Sequence, residues 1–287
     1  MLWGGTPVAL SFTSDSLPPI AVAALRFLLA GIPVWIWCRF RGTSLGVTRS
    51  QLNWVLGSAI LLFVQIALFN VGTYWTSSSH STLIINSFLF FVVLIEHFIT
   101  RTDRLTGRKV FGLSLALTGI LLVFWISRTV NESPESRDPA TLRGDLVLLA
   151  SSFLLGFKII YTKHAVTKVE PSSLVFWHHL IGAGLFVAYS LSTEEIRLDG
   201  FTLPATLGIL YQGLMVAGVC FPIQAVLLRR HSATQISVFS FLTPVFGVAL
   251  AVLLRGDHMS PWLIVAGLLV VLGILMVNLR TRLKTDT

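Results

Sequence analysis

Nine stretches of predominantly apolar sequence, each roughly 20 residues long, run through this 287-residue chain, and that length is what a helix needs to cross a bilayer. They fall at about 18–38, 53–75, 79–99, 110–127, 145–166, 172–192, 204–228, 233–254 and 261–279. In hydrocarbon every backbone N–H and C=O must find its partner within the chain, so each run predicts a helix. The opening stretch from Met1 to Phe12 is also apolar, but at 1.5 Å per residue it covers only about 18 Å. It reads as the second half of a helix. Hydrophobic residues make up 54% of the chain and charged residues 12%, about half the charged share of a soluble domain. That is too little charge to cover a globular surface. The expected fold is an all-α polytopic membrane protein with ten transmembrane helices, the first one short.

The formal charge is +8, which raises the question of nucleic acid. The basic residues do not form one face or stripe, and no aromatic–basic or Cys/His spacing accompanies them, so no nucleic-acid partner is expected. They mark topology instead. Fourteen Lys and Arg fall in the loop clusters Arg39–Arg49, Arg101–Lys109, Lys163–Lys168, Arg229–Arg230 and Arg280–Lys284. The alternate loops hold five: Arg128, Arg137, Arg143, Arg197 and Arg255. The positive-inside rule makes the first set cytoplasmic, with both termini there too. No basic n-region or cleavage site suggests a signal peptide. Cys38 and Cys220 sit in or beside apolar runs and imply no disulfide framework.

One connection is long and polar, at 128–144, and it splits the chain near its middle. Its Asn131-Glu132-Ser133 sequon reads as a chance occurrence. The two sides resemble each other. At a spacing of 154, Asp257 matches Asp103, Gly273 matches Gly119 and Ile274-Leu275 matches Ile120-Leu121; at 152, Gly156 matches Gly4 and Pro171 matches Pro19. Five spans per half is odd, so the second half enters the membrane upside down. The charges follow: Arg39, Arg41 and Arg49 in one loop face Glu194, Glu195 and Asp199 in its counterpart. The expected domains are a five-helix repeat at 1–127, an extracytoplasmic linker at 128–144, an inverted repeat at 145–280 and a cytoplasmic tail at 281–287. Inverted repeats are typical of secondary transporters, with the substrate site near the midplane between the halves.

Several motifs resemble those of the EamA-type permeases of the drug/metabolite transporter superfamily across nearly the whole chain. They are Leu2-Trp3-Gly4-Gly5, then Pro18-Pro19 followed by Ala24-Leu25-Arg26-Phe27, and, most specifically, Ser232-Ala233, Phe241-Leu242-Thr243-Pro244-Val245-Phe246, Arg255-Gly256-Asp257, Gly267 and Gly273. Asp257 stands where the family usually has Glu, and Phe90 stands at the counterpart of Pro244. The resemblance implies export of small metabolites across a cell membrane, the bacterial inner membrane, with the substrate class open.

Ionisable groups at mid-membrane cost at least ~2.5–3.5 kcal/mol on insertion scales, so each needs a reason. Arg26 either snorkels and pairs with carbonyls or is a cavity cation meeting an anionic substrate group. Lys158, too deep in its span to reach water on the outer side, either snorkels to the cytoplasmic interface or serves the site in the same way. His178, beside His179, occupies the position in the second half that Arg26 holds in the first; both histidines also fit as satisfied core residues. Glu96 is the carboxylate candidate for proton coupling, with interfacial solvation as the alternative. The substrate-binding candidates are Arg26, Gln65, Asn70, Trp75, His80, Asn86, Lys158, His178, Tyr211, Gln212 and Gln224. For the amides and hydroxyls, interhelical hydrogen bonding is the competing explanation. Pro222 and Pro244 fall within spans, where they could kink helices.

A secondary transporter moving a small polar or amphipathic metabolite by alternating access fits best. An intramembrane enzyme would need a catalytic constellation; no His-Glu-x-x-His, paired aspartates or Gly-x-Ser-x-Gly is present, so no catalytic residue is assigned. A sensor would need a soluble domain that no loop can hold, and a channel a filter-like repeat. The expected partners are the bilayer and a small-molecule substrate, with no cofactor or metal, in a monomer or homodimer.

Overall fold

Proline and hydroxyl residues start the helices where the apolar runs begin. Pro19 and Pro171 open two of them at the position where a missing N–H costs nothing. Thr141 and Thr202 open two others, each accepting a backbone N–H three residues on, from Gly144 at 3.1 Å and Ala205 at 3.4 Å. The computed structural model describes residues 2–101, 105–129, 141–196, 198–237, 242–257 and 260–278. Asp103, Arg104, Arg137, Arg197, Phe241, the sequon and the tail with Arg280, Arg282 and Lys284 lie outside them.

Among the described residues every regular element is helical. A turn at Leu2–Gly5 leads into α1 (Thr6–Ser14). Then come α2 (Pro19–Phe40), α3 (Arg49–Tyr74), α4 (Ser78–Thr100) and α5 (Gly107–Thr129). The second part of the chain holds α6 (Leu142–Ala165), α7 (Pro171–Thr193) and α8 (Leu203–Arg230). A short helical piece, Ala233–Ser237, precedes α9 (Thr243–Arg255), and α10 is Pro261–Asn278. Six of these, α2, α3, α4, α6, α7 and α8, are long and apolar enough to cross a membrane. α2 shows how lipid is met: Ile32, Trp35 and Ile36 are exposed while Phe27, Ala30 and Val34 of the same helix are buried. A helix apolar all round suits a bilayer on one side and a bundle on the other.

Three helices are irregular, with local causes. α4 breaks at Asn86–Ser87, where the Asn86 amide donates to the Thr82 carbonyl at 2.6 Å. α8 is π-helical over Tyr211–Cys220, immediately before Pro222. Proline cannot donate to the preceding turn and collides with its carbonyl, and a wider turn relieves both. α4 and α9 end alike: a five-residue π turn, Glu96–Thr100 or Ala251–Arg255, then a left-handed residue, Arg101 at φ 54° or Gly256 at φ 72°.

Small residues set the tightest helix contacts. A methyl on Gly273 of α10 would lie 2.5 Å from the Gly112 carbonyl oxygen of α5, and one on Gly119 of α5 would lie 2.7 Å from the Ala266 carbonyl oxygen. The Leu2–Gly5 turn meets α9 through Gly4, whose Cβ would fall 2.9 Å from the Thr243 carbonyl oxygen. α6 meets α4 through Gly156, with the Phe88 carbonyl oxygen at 3.0 Å.

Candidate functional site

α1, α2, α3, α4, α6, α8 and α9 surround a cavity of about 100 Å³ in the middle of the bundle. Of the residues expected to meet substrate, Arg26, Gln65, Asn86, Lys158 and Gln224 all line it, from five different helices. Apolar walls come from Trp3, Phe69, Phe88 and Phe221, and hydroxyls from Thr6 and Thr243.

Two cations dominate its chemistry. Lys158 Nζ donates to Gln65 Oε1 at 2.7 Å and sits 5.1 Å from the centre of the Phe221 ring. Gln65 is held in turn by its own amide, which donates to Ser151 Oγ at 3.2 Å. Arg26 is 2% exposed, and its guanidinium carbon lies 5.2 Å from the Phe27 ring centre. Its Nε and Nη1 donate to nothing among the described residues. No carboxylate among those residues lies within ion-pair reach of either cation. Ring faces offer partial compensation, but a buried guanidinium with idle donors is still costly, and that cost is removed by an anion. Thr6 Oγ1, also buried, has no hydrogen-bond partner among the described residues either.

The other expected residues lie elsewhere. His178 Nδ1 faces Ser58 Oγ at 3.4 Å, and its ring touches Phe221, one step behind the lining. The Tyr211 hydroxyl donates to the Leu2 carbonyl at 2.5 Å and so fixes the turn that leads into α1. Gln212 is fully buried, and neither amide atom is bonded among the described residues. Asn70 donates to the Pro19 carbonyl at 2.7 Å, tying α3 to the start of α2. The Trp75 ring carries Arg143 at 4.0 Å, and its carbonyl accepts from the Thr141 hydroxyl. His80 Nδ1 faces Asp145 Oδ2 at 3.1 Å. Glu96 is completely buried and accepts from the Thr234 hydroxyl, and its second oxygen has no hydrogen-bond partner among the described residues.

Sequence reading did not single out Phe221, Thr6 and Thr243 for the cavity, nor Asp145 as the partner of His80. Phe221 carried a signal: it adjoins the intramembrane Pro222. Asp145 sits in the first turn of α6, where an acidic residue also reads as a simple complement to the helix dipole.

Residues 1–125 and 142–279 match the EamA-like transporter family. The chain belongs to that family. This EamA-like transporter is 21% identical to the uncharacterized transporter YoaV of Bacillus subtilis, over 96% of the chain and 92% of the relative. It is 25% identical to a probable amino-acid metabolite efflux pump of Escherichia coli, over 96% and 90%. The uncharacterized inner membrane transporter YedA of Escherichia coli is also 25% identical, over 97% and 88%. A protein crystal structure superposes with a TM-score of 0.74 at 20% identity, covering 96% of this chain and 92% of that one, which is a likeness of fold. The protein is a multi-pass membrane transporter, a permease or exporter, and the resemblance read from its motifs is borne out.

Proposed function

We propose that this transporter moves small amphipathic solutes bearing a carboxylate or phosphate, and that Arg26 and Lys158 receive the anionic group by alternating access from the two membrane faces. One observation carries the reading: two buried cations share an apolar cavity, with no carboxylate of the described residues beside them. Gln65, Asn86 and Gln224 would orient the polar part of the solute, and Phe69, Phe88 and Phe221 its apolar part. The present cavity, at about 100 Å³, is smaller than the ~300–1,000 Å³ of ligand clefts, which fits a constricted state. One relative is named a probable amino-acid metabolite efflux pump, and YedA is named for the inner membrane; a carboxylate solute here accords with the first name. Export from a bacterial cytoplasm across the inner membrane is the corresponding direction here, by a monomer or homodimer.

The mechanism calls for ten spans in two inverted halves, 1–127 and 145–280, joined by an extracytoplasmic linker at 128–144, with both termini and the 281–287 tail cytoplasmic. Contacts support it. Shifting by 154 residues turns Gly119 into Gly273 and Gly112 into Ala266. The same shift therefore converts the Gly119–Ala266 contact into the Gly273–Gly112 contact. Likewise Gly4 of the turn before α1 meets α9, and its counterpart Gly156 of α6 meets α4. Glu96, buried where α4 meets the segment before α9, is the proton carrier in this reading. Glu96→Gln should flatten the pH dependence of transport.

Thermal-shift measurement on the purified protein with paired carboxylates and their neutral amides tests the substrate class. Carboxylates should stabilise the parent and lose that effect in Arg26→Ala and Lys158→Ala. Equal stabilisation by the amides, or retention in both variants, would dispose of it.

A further inference from the structure

A second cleft, of about 460 Å³, shares no lining residue with the central cavity. It lies at the end of the bundle that the positive-inside reading makes cytoplasmic. Arg41, Thr43 and Ser44 of the α2–α3 connection line it, with Gln51 of α3 and with Glu170 and Ser173 where α7 begins. Three contacts hold its sides together. Trp177 Nε1 donates to the Leu45 carbonyl at 2.7 Å, Gln51 Nε2 donates to the Lys168 carbonyl at 2.9 Å, and the Thr43 and Ser172 hydroxyls lie 3.2 Å apart.

Two helices start at this cleft, and their sequences treat the start differently. α3 is closed by a capping box in which Gln51 Oε1 accepts the Thr48 N–H at 3.1 Å. α7, 23 residues long, has Glu170 at its cap position, but that side chain makes no capping bond. Its carboxylate accepts from Arg229 of α8 instead. Pro171 has no N–H, so the amides of Ser172 and Ser173 carry the positive end of the helix dipole without that cap. Ser173 also lines the cleft and is 2% exposed, and its hydroxyl has no hydrogen-bond partner among the described residues. A buried idle hydroxyl at a helix start calls for a partner. Arg41 lies on the Trp37 ring, 5.4 Å from its centre, and makes no ion pair among the described residues. The segments that form the cleft, 39–51 and 163–173, hold five cations, Arg39, Arg41, Arg49, Lys163 and Lys168, against the one carboxylate of Glu170.

We propose that this cleft binds a phosphate group at the membrane surface, with the Ser172 and Ser173 amides, the Ser173 hydroxyl and the Arg41 guanidinium as its donors. A tetrahedral anion with several free oxygens accepts from a helix start and a planar guanidinium together. Glu170 opposes it weakly, because its carboxylate is already neutralised by Arg229. The level fits as well. Phe40, immediately before Arg41, is 87% exposed, and Trp37 lies one turn earlier, so the end of α2 carries aromatic residues of the kind that sit among headgroups. Two sources present this chemistry here, a phospholipid headgroup and a soluble phosphate, and the measurement separates them. A bound phosphate ties the α2–α3 connection to α7 and adds to the contacts that close this end of the bundle.

The test is thermal unfolding of the delipidated protein in neutral detergent with sodium phosphate, with short-chain phosphatidylglycerol, and with sodium chloride at matched ionic strength. At least one of the two phosphate probes should raise the midpoint by about 4 °C over chloride. A response to phosphatidylglycerol alone assigns the cleft to a lipid headgroup, and a response to inorganic phosphate, alone or as well, assigns it to the phosphate group itself. Arg41→Gln changes an exposed side chain and should raise the half-maximal probe concentration about tenfold. Glu170→Asp places a competent capping side chain at the helix start and, by occupying the amides, should weaken the response by about the same factor. Arg26→Ala removes a cation of the central cavity and should keep the response, which separates this site from the carboxylate-binding one. No stabilisation beyond chloride by either probe, a response unchanged in Arg41→Gln or in Glu170→Asp, or one lost in Arg26→Ala overturns the proposal.

Discussion

Arg26 and Lys158 respond differently to removal because their donors are used differently. Arg26 has two buried nitrogens bonded to nothing among the described residues. Arg26→Met should therefore raise the unfolding free energy by about 1–3 kcal/mol while abolishing stabilisation by carboxylates. Lys158→Met also removes a buried cation, but it strips the donor from Gln65 Oε1. An orphaned amide oxygen costs about 1–3 kcal/mol, so no comparable gain is expected. Denaturant or thermal unfolding in detergent, with and without ligand, checks both; a clear loss of stability in Arg26→Met would mean the guanidinium has partners in the folded state. The residue scale is also where sequence reading succeeded least evenly. Arg26, Lys158 and Gln65 were legible because a polar group at mid-membrane must be explained. Asn70, Trp75 and His80 belonged to the same class but are engaged at the ends of α3 and α4. Depth along a helix is readable from sequence, whereas the direction a side chain faces in the bundle depends on neighbours far away in the chain.

At the scale of elements, glycines separate close packing from mere permissiveness. Gly273→Ala puts a methyl against the backbone of Gly112 and Ala116, atoms that cannot move aside, and should cost about 1–3 kcal/mol by overpacking. Gly184→Ala on α7 meets nothing within 4 Å. It should gain up to about 1 kcal/mol from helix propensity. Opposite signs in thermal unfolding would verify the α5–α10 contact; equal effects would deny it. The α4 terminus offers a third case. Arg101 occupies the left-handed conformation that Gly256 occupies after α9, at a cost of about 1–2 kcal/mol for a residue with a Cβ. Arg101→Gly should recover part of that and raise the melting temperature. The apolar runs located these helices, but neither the break at Asn86–Ser87 nor the π turns could be read from them. No proline marks the first, and a π turn differs from an α turn by one residue of hydrogen-bond register, which hydropathy does not encode.

For the whole molecule, the constricted cavity lies between two layers of cross-chain contacts. Ser11–Ser78, His80–Asp145 and Ser79–Asp257 bind one end, and Glu96–Thr234, Arg229–Glu170 and Lys163–His231 the other. In the alternating-access reading proposed above, one layer opens while the other holds. Cross-linking isolates each layer: Ser11→Cys with Ser78→Cys for the one proposed as outer, Glu96→Cys with Thr234→Cys for the one proposed as inner. The decisive measurement is access of an impermeant thiol reagent from either side to a cysteine at Gln224, in a chain without Cys38 and Cys220. The outer cross-link should block labelling from outside and leave labelling from inside, and the inner cross-link should do the reverse. If either cross-link blocks both faces, or neither changes access, the cavity is not reached alternately and the account is wrong.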